Sequence, residues 1–209
     1  MPTPGDPFQT PERRLLAQSV IRFARDHIVE QLAQWEDQGE LPRELHLRAA
    51  EAGLIGLGYP EDLDGVGGTL IDVTVMTESL MAAGASGGLF ASLFSHGIAL
   101  PHIVDALRAR DDDGDVGGAQ WLRERFVQPV LAGRAIASLA VTEPDGGSDV
   151  GNLRTRAVRD GDHWVINGSK TYITSGTRAD VVVTAARIGE RGAAGIALFA
   201  VDRRSPGFQ

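Results

Sequence analysis

The chain has 209 residues, 43% of them hydrophobic and 23% charged, which is a globular composition with room for one large domain or two small ones. It contains no Cys, and this excludes disulfides, thiolate metal ligands and a Cys nucleophile. The formal net charge is −8, yet residues 1–105 carry 6 basic and 15 acidic side chains and residues 106–209 carry 14 and 13. Nucleic acid would be repelled by the first half, so any phosphate ligand belongs to the second.

The start of the chain, "MPTPGDPFQTPERR", lacks the basic and apolar segments of an export signal. No stretch approaches the roughly 18 uninterrupted apolar residues of a membrane span. We therefore expect a cytoplasmic protein with no membrane insertion.

Helical patterns dominate the first part of the chain. Thr10 and Pro11 are typical of a helix start, and the apolar face that follows predicts one helix as far as "DQGELP". The segment "PRELHLRAAEAG" predicts a short second helix that ends at Gly53.

Two long apolar stretches, Leu70 to Ala83 and Leu89 to Leu107, predict buried helices. The acidic segment "RARDDDGDVGGAQ" predicts a solvated surface insert. A last helix is expected around "QWLRERFVQPVLAG", with Gly133 at its end.

Period-two patterns replace helical ones near Ala135. They predict strands in "AIASLAV", "LRTRAVRDGDHWVINGSKTYIT", "ADVVVTAARI" and "IALFAVD". Asn167-Gly168 predicts a type I′ hairpin turn between "HWVI" and "SKTYIT". The resulting fold class is α+β, with an all-helical domain over residues 1–134 and an antiparallel β-domain over residues 135–209. The β-domain is expected to be incomplete, because the sequence stops directly after a strand.

Several catalytic motifs are absent from the sequence. It has neither GxGxxG nor GxxxxGK[ST], and Ser95-His96-Gly97 lacks the strand-to-helix elbow of a hydrolase nucleophile. The five His are scattered, and "DDDGD" does not fit a calcium loop, so no metal site is predicted.

The segment "LAVTEPDGGSDV" places polar groups directly after a predicted strand. Gly146 and Gly147 can hold successive N–H groups open as an anion-binding nest, to which the Ser148 hydroxyl adds a donor. Thr142 follows one predicted strand, and Thr174 is the last residue of another, close to Tyr172. Two hydroxyls, an aromatic face and a phosphate nest suit a flat heteroaromatic ring with a pyrophosphate tail. A plain turn with ordinary strand residues explains the same pattern, and both interpretations stay open.

The stretches "VTEPDGGSD" and "WVINGSKTYITSGTRADVVVTAARI" resemble the acyl-CoA dehydrogenase motifs TEP-x-x-GSD and W-x-x-NG-x-K-x-(W/Y/F)-IT(N/S)G, in the family's order and separation. The resemblance covers nearly the whole chain and implies the family's N-terminal helical domain followed by its middle β-domain. It departs at "RARDDDGDVGGAQWLRERFVQPVLAGR", which replaces a usually shorter connection. The family's C-terminal four-helix domain is not contained in these 209 residues.

The resemblance implies FAD-dependent α,β-dehydrogenation of an acyl-CoA thioester, with electrons passing to an electron-transferring flavoprotein. By motif match, Thr142 and Thr174 bind the flavin ring, Tyr172 and Ile173 lie beside it, and backbone groups of Leu139 and Val141 line it. Gly147 and Ser148 would serve the pyrophosphate and the CoA ligand. The residues expected to line the acyl-chain pocket are Phe90, Leu93 and Phe94.

The family's catalytic Glu belongs to its C-terminal domain, so no residue here is assigned that role and Glu143 is expected to be structural. The 209 residues alone are expected to be inactive, and the full-length protein to be a homo-oligomer. Two alternatives remain: an acyl-CoA oxidase or nitroalkane-oxidase relative that shares these motifs, and a non-catalytic binding scaffold.

Overall fold

A computed structural model describes residues 10–209 of the chain. It contains both helices and a sheet, so the predicted α+β class is confirmed. The expectation that the chain has no export signal concerns its first residues, and residues 1–9 lie outside the described residues. Among the described residues the α-helices are α1 Pro11–His27, α2 Leu32–Gln38, α3 Arg43–Glu51, α4 Leu70–Ala82, α5 Gly87–Leu93, α6 His96–Asp112, α7 Val116–Leu122 and α8 Gln128–Leu131.

The strands of the same range are β1 Ala137–Ala140, β2 Arg156–Asp160, β3 His163–Asn167, β4 Val181–Arg187 and β5 Ile196–Asp202. The chain forms two compact units. One, the helical unit, holds residues 10–94 and 127–134 of the described chain. The other, the β-unit, holds Ser95–Phe126 and Ala135–Gln209, so it contains α6 and α7 together with the sheet.

The first predicted helix starts where the sequence indicates but ends early. Thr10 caps α1 by accepting a hydrogen bond from the Arg13 N–H at 3.3 Å. The expectation of a single helix up to "DQGELP" is wrong, because α1 ends at His27 and a turn separates it from α2. Gly39, in a left-handed conformation at φ 69°, ends α2.

Helix α1 packs against α4 through an apolar and a charged contact. The buried face of α1 carries Val20, Phe23 and Ala24. At the start of α4, the Asp72 carboxylate accepts hydrogen bonds from the Thr69 N–H at 2.7 Å and from Arg13 Nε at 2.8 Å. These bonds fix the start of α4 against α1, and the Arg13 guanidinium with Thr69 holds the pKa of Asp72 well below its usual range.

The apolar stretch predicted as one helix from Leu89 to Leu107 is broken. Helix α5 ends at Leu93, and α6 begins at His96. By length and apolar composition alone, the range Gly87–Asp112 could cross a membrane. Half of the apolar window is buried within the protein, which is typical of core helices in soluble proteins as well.

The acidic segment 108–120 is largely helical rather than an irregular insert, because it comprises the end of α6 and the start of α7. Helix α6 continues to Asp112, and the chain reverses at Gly114, whose φ is 81°. Asp115 then caps α7 by accepting from the Gly118 N–H at 3.0 Å, and it pairs with Arg110. The solvent exposure predicted for this acidic segment is confirmed, since residues 108–117 are exposed.

The sheet is mixed, and the prediction of a purely antiparallel sheet is wrong. Strand β4 pairs in parallel with β1 and antiparallel with β5, and it meets β2 in parallel at Arg187. The β2–β3 hairpin is antiparallel and turns at Gly161. All seven residues of β4 are buried, which explains its continuous run of Val and Ala.

The predicted hairpin at Asn167-Gly168 does not form. Strand β3 ends at Asn167, and the "SKTYIT" segment has no strand partner among the described residues. Gly168 is required for a different reason. A Cβ at this position would lie 2.3 Å from Thr155 Oγ1, so a tertiary contact rather than a type I′ turn selects glycine here.

Candidate functional site

The chain leaves β1 and enters a tight turn within two residues. The Glu143 N–H donates to the Gly146 carbonyl at 2.9 Å, and the Gly146 N–H donates back to the Glu143 carbonyl at 3.1 Å. Neither Gly146 nor Gly147 has a positive φ. The nest predicted from Asp145 onward is therefore not formed, because a nest needs alternating backbone handedness and free N–H groups.

Gly147 brings the loop that follows this turn against Thr142. A Cβ on Gly147 would lie 3.4 Å from Thr142 Cγ2. Ser148 comes next and is exposed. The structure thus places Gly147 and the start of the "GSD" loop beside Thr142.

A second segment, residues 168–175, lies beside the end of β1. The Thr171 N–H donates to the Thr142 carbonyl at 3.0 Å. The Ser138 hydroxyl of β1 donates to the Thr174 carbonyl at 2.7 Å. These two hydrogen bonds place the Thr142 and Thr174 residues on neighbouring stretches of backbone, although they are far apart in sequence.

Tyr172 and Ile173 have opposite environments. Ile173 packs against a buried cluster of Ala140, Ala179 and Val182. Tyr172 is 93% exposed and has a φ of 55°, an uncommon conformation for a bulky residue. Such strain often occurs at binding sites, where the surrounding structure holds it in place. The aromatic ring is therefore presented to solvent next to the Thr142–Thr171 contact.

The remaining predicted cofactor residues lie along β1 and its continuation. Leu139 is half-buried and pairs with Val183 of β4. The Val141 carbonyl accepts a hydrogen bond from Lys170 Nζ at 2.9 Å. Leu139, Val141 and Thr142 thus lie along β1 and its continuation, beside the segment that contains Thr174. Cavities of about 260 and 360 Å³ occur in the helical unit, around Trp35 and Pro42.

The predicted acyl-pocket residues lie in the helical unit, with Phe90 and Leu93 in α5 and Phe94 directly after it. Leu93 is 1% exposed, and Phe90 and Phe94 are half-buried. The two Phe rings contact each other with centroids 5.0 Å apart. Ser95, which follows them, donates its hydroxyl to the Ala137 carbonyl at 2.9 Å, a structural role that agrees with the rejection of a hydrolase triad.

Glu143 is 7% exposed and fully engaged. Its carboxylate accepts from the Arg154 N–H at 2.6 Å, from the Thr155 N–H at 2.8 Å and from Lys170 Nζ at 3.0 Å. Burial raises the pKa of Glu143, but the hydrogen bonds from Thr155, Arg154 and Lys170 outweigh it and lower the pKa to about 2. Glu143 is therefore ionised at neutral pH and serves as a structural group in the turn.

Arg187, at the end of β4, holds the loop that follows Ser148. It is 7% exposed, and its guanidinium donates to the carbonyls of Leu153 at 3.2 Å, Gly151 at 2.7 Å and Glu190 at 2.5 Å. Sequence analysis missed both Arg187 and Lys170 as site-forming residues. Lys170 occupies the lysine position of the NG-x-K motif, but its partners cannot be read from spacing. The partners of both residues are carbonyls and a carboxylate from distant segments.

Family models match most of the chain. The model of the acyl-CoA dehydrogenase N-terminal domain matches residues 10–106, and that of the middle domain matches residues 138–209. The helices, the sheet and the two motif segments agree with this pair of domains. The chain belongs to the acyl-CoA dehydrogenase family.

Individual relatives agree with this assignment. The chain is 34% identical to the long-chain specific acyl-CoA dehydrogenase of Sus scrofa mitochondria over 200 residues, covering 94% of this chain and 44% of that protein. It superimposes with a TM-score of 0.89 and 51% identity on a Mycobacterium smegmatis crystal structure designated an acyl-CoA dehydrogenase, covering 97% of this chain and 50% of that one.

A glutaryl-CoA dehydrogenase of Mycobacterium smegmatis, solved in complex with FADH2, gives a TM-score of 0.77 at 25% identity over 98% of this chain and 49% of that chain. In each of these three comparisons, the chain spans about half the length of the protein it matches.

Proposed function

We propose that this chain is the flavin-binding part of an FAD-dependent acyl-CoA dehydrogenase, which introduces an α,β double bond into an acyl-CoA thioester. The observation that carries the proposal is the meeting of two segments at the end of β1. There, the Thr171–Thr142 and Ser138–Thr174 hydrogen bonds hold the backbone segments that carry the two threonines beside each other. Family membership supports the chemistry, and the FADH2 complex of a relative supports the cofactor.

The residues present fit a flavin ring. Thr142 is half-exposed and Thr174 exposed, and their hydroxyls make no hydrogen bond to other residues within the described range 10–209. Both are therefore available to polar atoms of a ring system. The exposed face of Tyr172 offers an aromatic surface beside them.

Gly147 and Ser148 are both exposed, and the Ser148 hydroxyl is proposed as a donor to the pyrophosphate or the CoA ligand. Bound FAD supplies the two-electron acceptor that oxidation of a Cα–Cβ bond requires, since side chains cannot do so alone.

Glu143 is unsuited to removing the α-proton. Its pKa is lowered to about 2, and backbone N–H groups and Lys170 occupy its carboxylate oxygens. A general base works best with a pKa near the operating pH and with free access to the proton. Resemblance to the family implies that the base lies outside these 209 residues, and we propose on that ground that the 209-residue chain alone is inactive. Phe90, Leu93 and Phe94 are proposed to contact the acyl chain, for which their apolar side chains are suited.

Electrons are proposed to leave to an electron-transferring flavoprotein. The same site in an oxidase would pass them to oxygen. Dye reduction without oxygen uptake by the whole protein on acyl-CoA identifies a dehydrogenase, and stoichiometric oxygen uptake identifies an oxidase.

The flavin proposal is tested on the purified 209-residue chain by its visible flavin absorbance and by titration with FAD. Saturable binding of about one FAD per chain is expected. A chain that is folded by circular dichroism but neither retains nor binds FAD would act as a scaffold at most and would overturn the proposal.

A further inference from the structure

The β-unit contains the only lysine of the sequence, and that lysine is buried. Apart from Lys170, every residue counted as Lys or Arg in the sequence is an arginine. The side chain of Lys170 is 10% exposed, and that of its partner Glu143 is 8% exposed. A buried ion pair requires further hydrogen bonds to offset the loss of hydration, and here they come from the backbone.

Three chain segments meet at this ion pair. Lys170 Nζ lies 2.9 Å from the Val141 carbonyl and 3.0 Å from Glu143 Oε1. The carboxylate in turn accepts from the N–H groups of Arg154 and Thr155. The ammonium therefore joins the end of β1 to the 168–175 segment, and Glu143 joins both to the segment that leads into β2.

The carbonyl that Lys170 binds is next in sequence to Thr142, a residue of the proposed flavin site. Lys170 binds the carbonyl of Val141, and its neighbour Thr171 donates to the carbonyl of Thr142 at 3.0 Å. Two successive residues of one segment thus hold two successive carbonyls of the other. The ammonium is a compact donor with three N–H bonds, so it reaches both oxygens in a space where a planar guanidinium would need a different geometry.

We propose that Lys170 is a positioning residue of the flavin site, which acts through the Glu143 carboxylate and the Val141 carbonyl to fix the separation of Thr142 and Thr174. This inference rests on the proposed flavin binding. It assigns Lys170 no contact with the flavin and no proton transfer. Loss of the ammonium should weaken FAD binding and change the ring environment without unfolding the β-unit.

The test uses the 209-residue chain with Lys170→Met and with the double substitution Glu143→Gln/Lys170→Met. The double variant removes both charges, so it leaves no uncompensated buried carboxylate and keeps the test valid if the single variant fails to fold. The FAD dissociation constant and the visible circular dichroism of bound flavin are measured. At least tenfold weaker binding and an altered flavin spectrum are expected in the double variant.

A chemical rescue separates charge from packing. The sequence has no Cys, so the Lys170→Cys variant carries a single thiol. Alkylation of the unfolded variant with 2-bromoethylamine, followed by refolding, restores an ammonium at nearly the length of lysine. Alkylation with iodoacetamide adds a neutral group of similar size and is the matched control. FAD affinity is expected to recover with the first reagent and not with the second.

The outcomes are distinct. If wild-type chain binds FAD but a folded double variant binds it within twofold as tightly, the positioning role is wrong and the proposed function stands. Equal recovery with both reagents overturns the role of the charge. If wild-type chain binds no FAD, the proposed function fails first, and the inference falls with it.

Discussion

Gly168 packs against Thr155 so closely that no side chain fits between them. A Cβ on Gly168 would lie 2.3 Å from Thr155 Oγ1 and 2.7 Å from Thr155 Cα. Thr155 is also the residue whose N–H donates to the Glu143 carboxylate at 2.8 Å. The contact therefore connects the start of the 168–175 segment to the same buried group that Lys170 binds.

Substitution of Gly168 by Ala is expected to lower the free energy of unfolding by about 1–3 kcal/mol, because backbone rather than a flexible side-chain end must move. Urea denaturation measures the change. Gly146→Ala is the matched control, since a Cβ there meets nothing within 4 Å and the residue has no positive φ. Equal destabilisation by the two substitutions would contradict the close contact.

The Glu143 carboxylate makes stability depend on acid pH. Its pKa falls from 4.5 to about 2 on folding, so its contribution is fully present above pH 4.5 and is lost as the pH drops through 2. The contribution amounts to about 3 kcal/mol. Unfolding free energies of wild type and Glu143→Gln, measured from pH 7 to 2, should converge by about that amount. A constant difference over this range would refute the assignment.

Lys170 should resist amine acylation in the folded chain. Its ammonium is buried and hydrogen-bonded to the Val141 carbonyl and Glu143. The measurement is pulse labelling with an acetyl ester, followed by mass spectrometry of the peptide that contains Lys170. Acetylation in the folded chain is expected to be at least tenfold slower than in guanidinium-unfolded chain, since the reagent cannot reach a buried amine. Similar rates in the two states would show that the side chain is accessible.

Arg187 is expected to be necessary for the loop after Ser148. Substitution by Met leaves the buried carbonyls of Gly151 and Leu153 without their donor, at a cost of roughly 3 kcal/mol. Arg191→Met, at an exposed position, is the control and should change stability by less than about 0.5 kcal/mol. Thermal unfolding of both variants measures the difference, and equal melting temperatures would rule out the structural role of Arg187.

The sequence predicts elements whose signal is local. The Val- and Ala-rich run of β4 and the Thr10–Pro11 start of α1 both form where expected. The interruption of the first helix after His27 has no comparable local signal. The Asn167-Gly168 pair shows the opposite failure, because its turn signal is strong but packing against Thr155 determines the conformation.

In the candidate site too, local sequence signals identify some residues, whereas other contacts depend on tertiary packing. Thr142, Gly147 and Thr174 could be named from their motifs, and the structure brings their segments together. The connection between Glu143 and Lys170 could not be predicted, since 27 residues separate them and the connection depends on how both segments fold against β1.

The central claim is that the end of β1 binds a flavin through Thr142 and Thr174. FAD titration of wild-type chain, Thr142→Ala and Thr174→Ala, monitored by flavin fluorescence, tests it most directly. One neutral hydrogen bond contributes about 1 kcal/mol, so each substitution is expected to weaken binding about fivefold with unfolding free energies nearly unchanged. FAD affinities and flavin spectra identical to wild type in both variants would contradict the account.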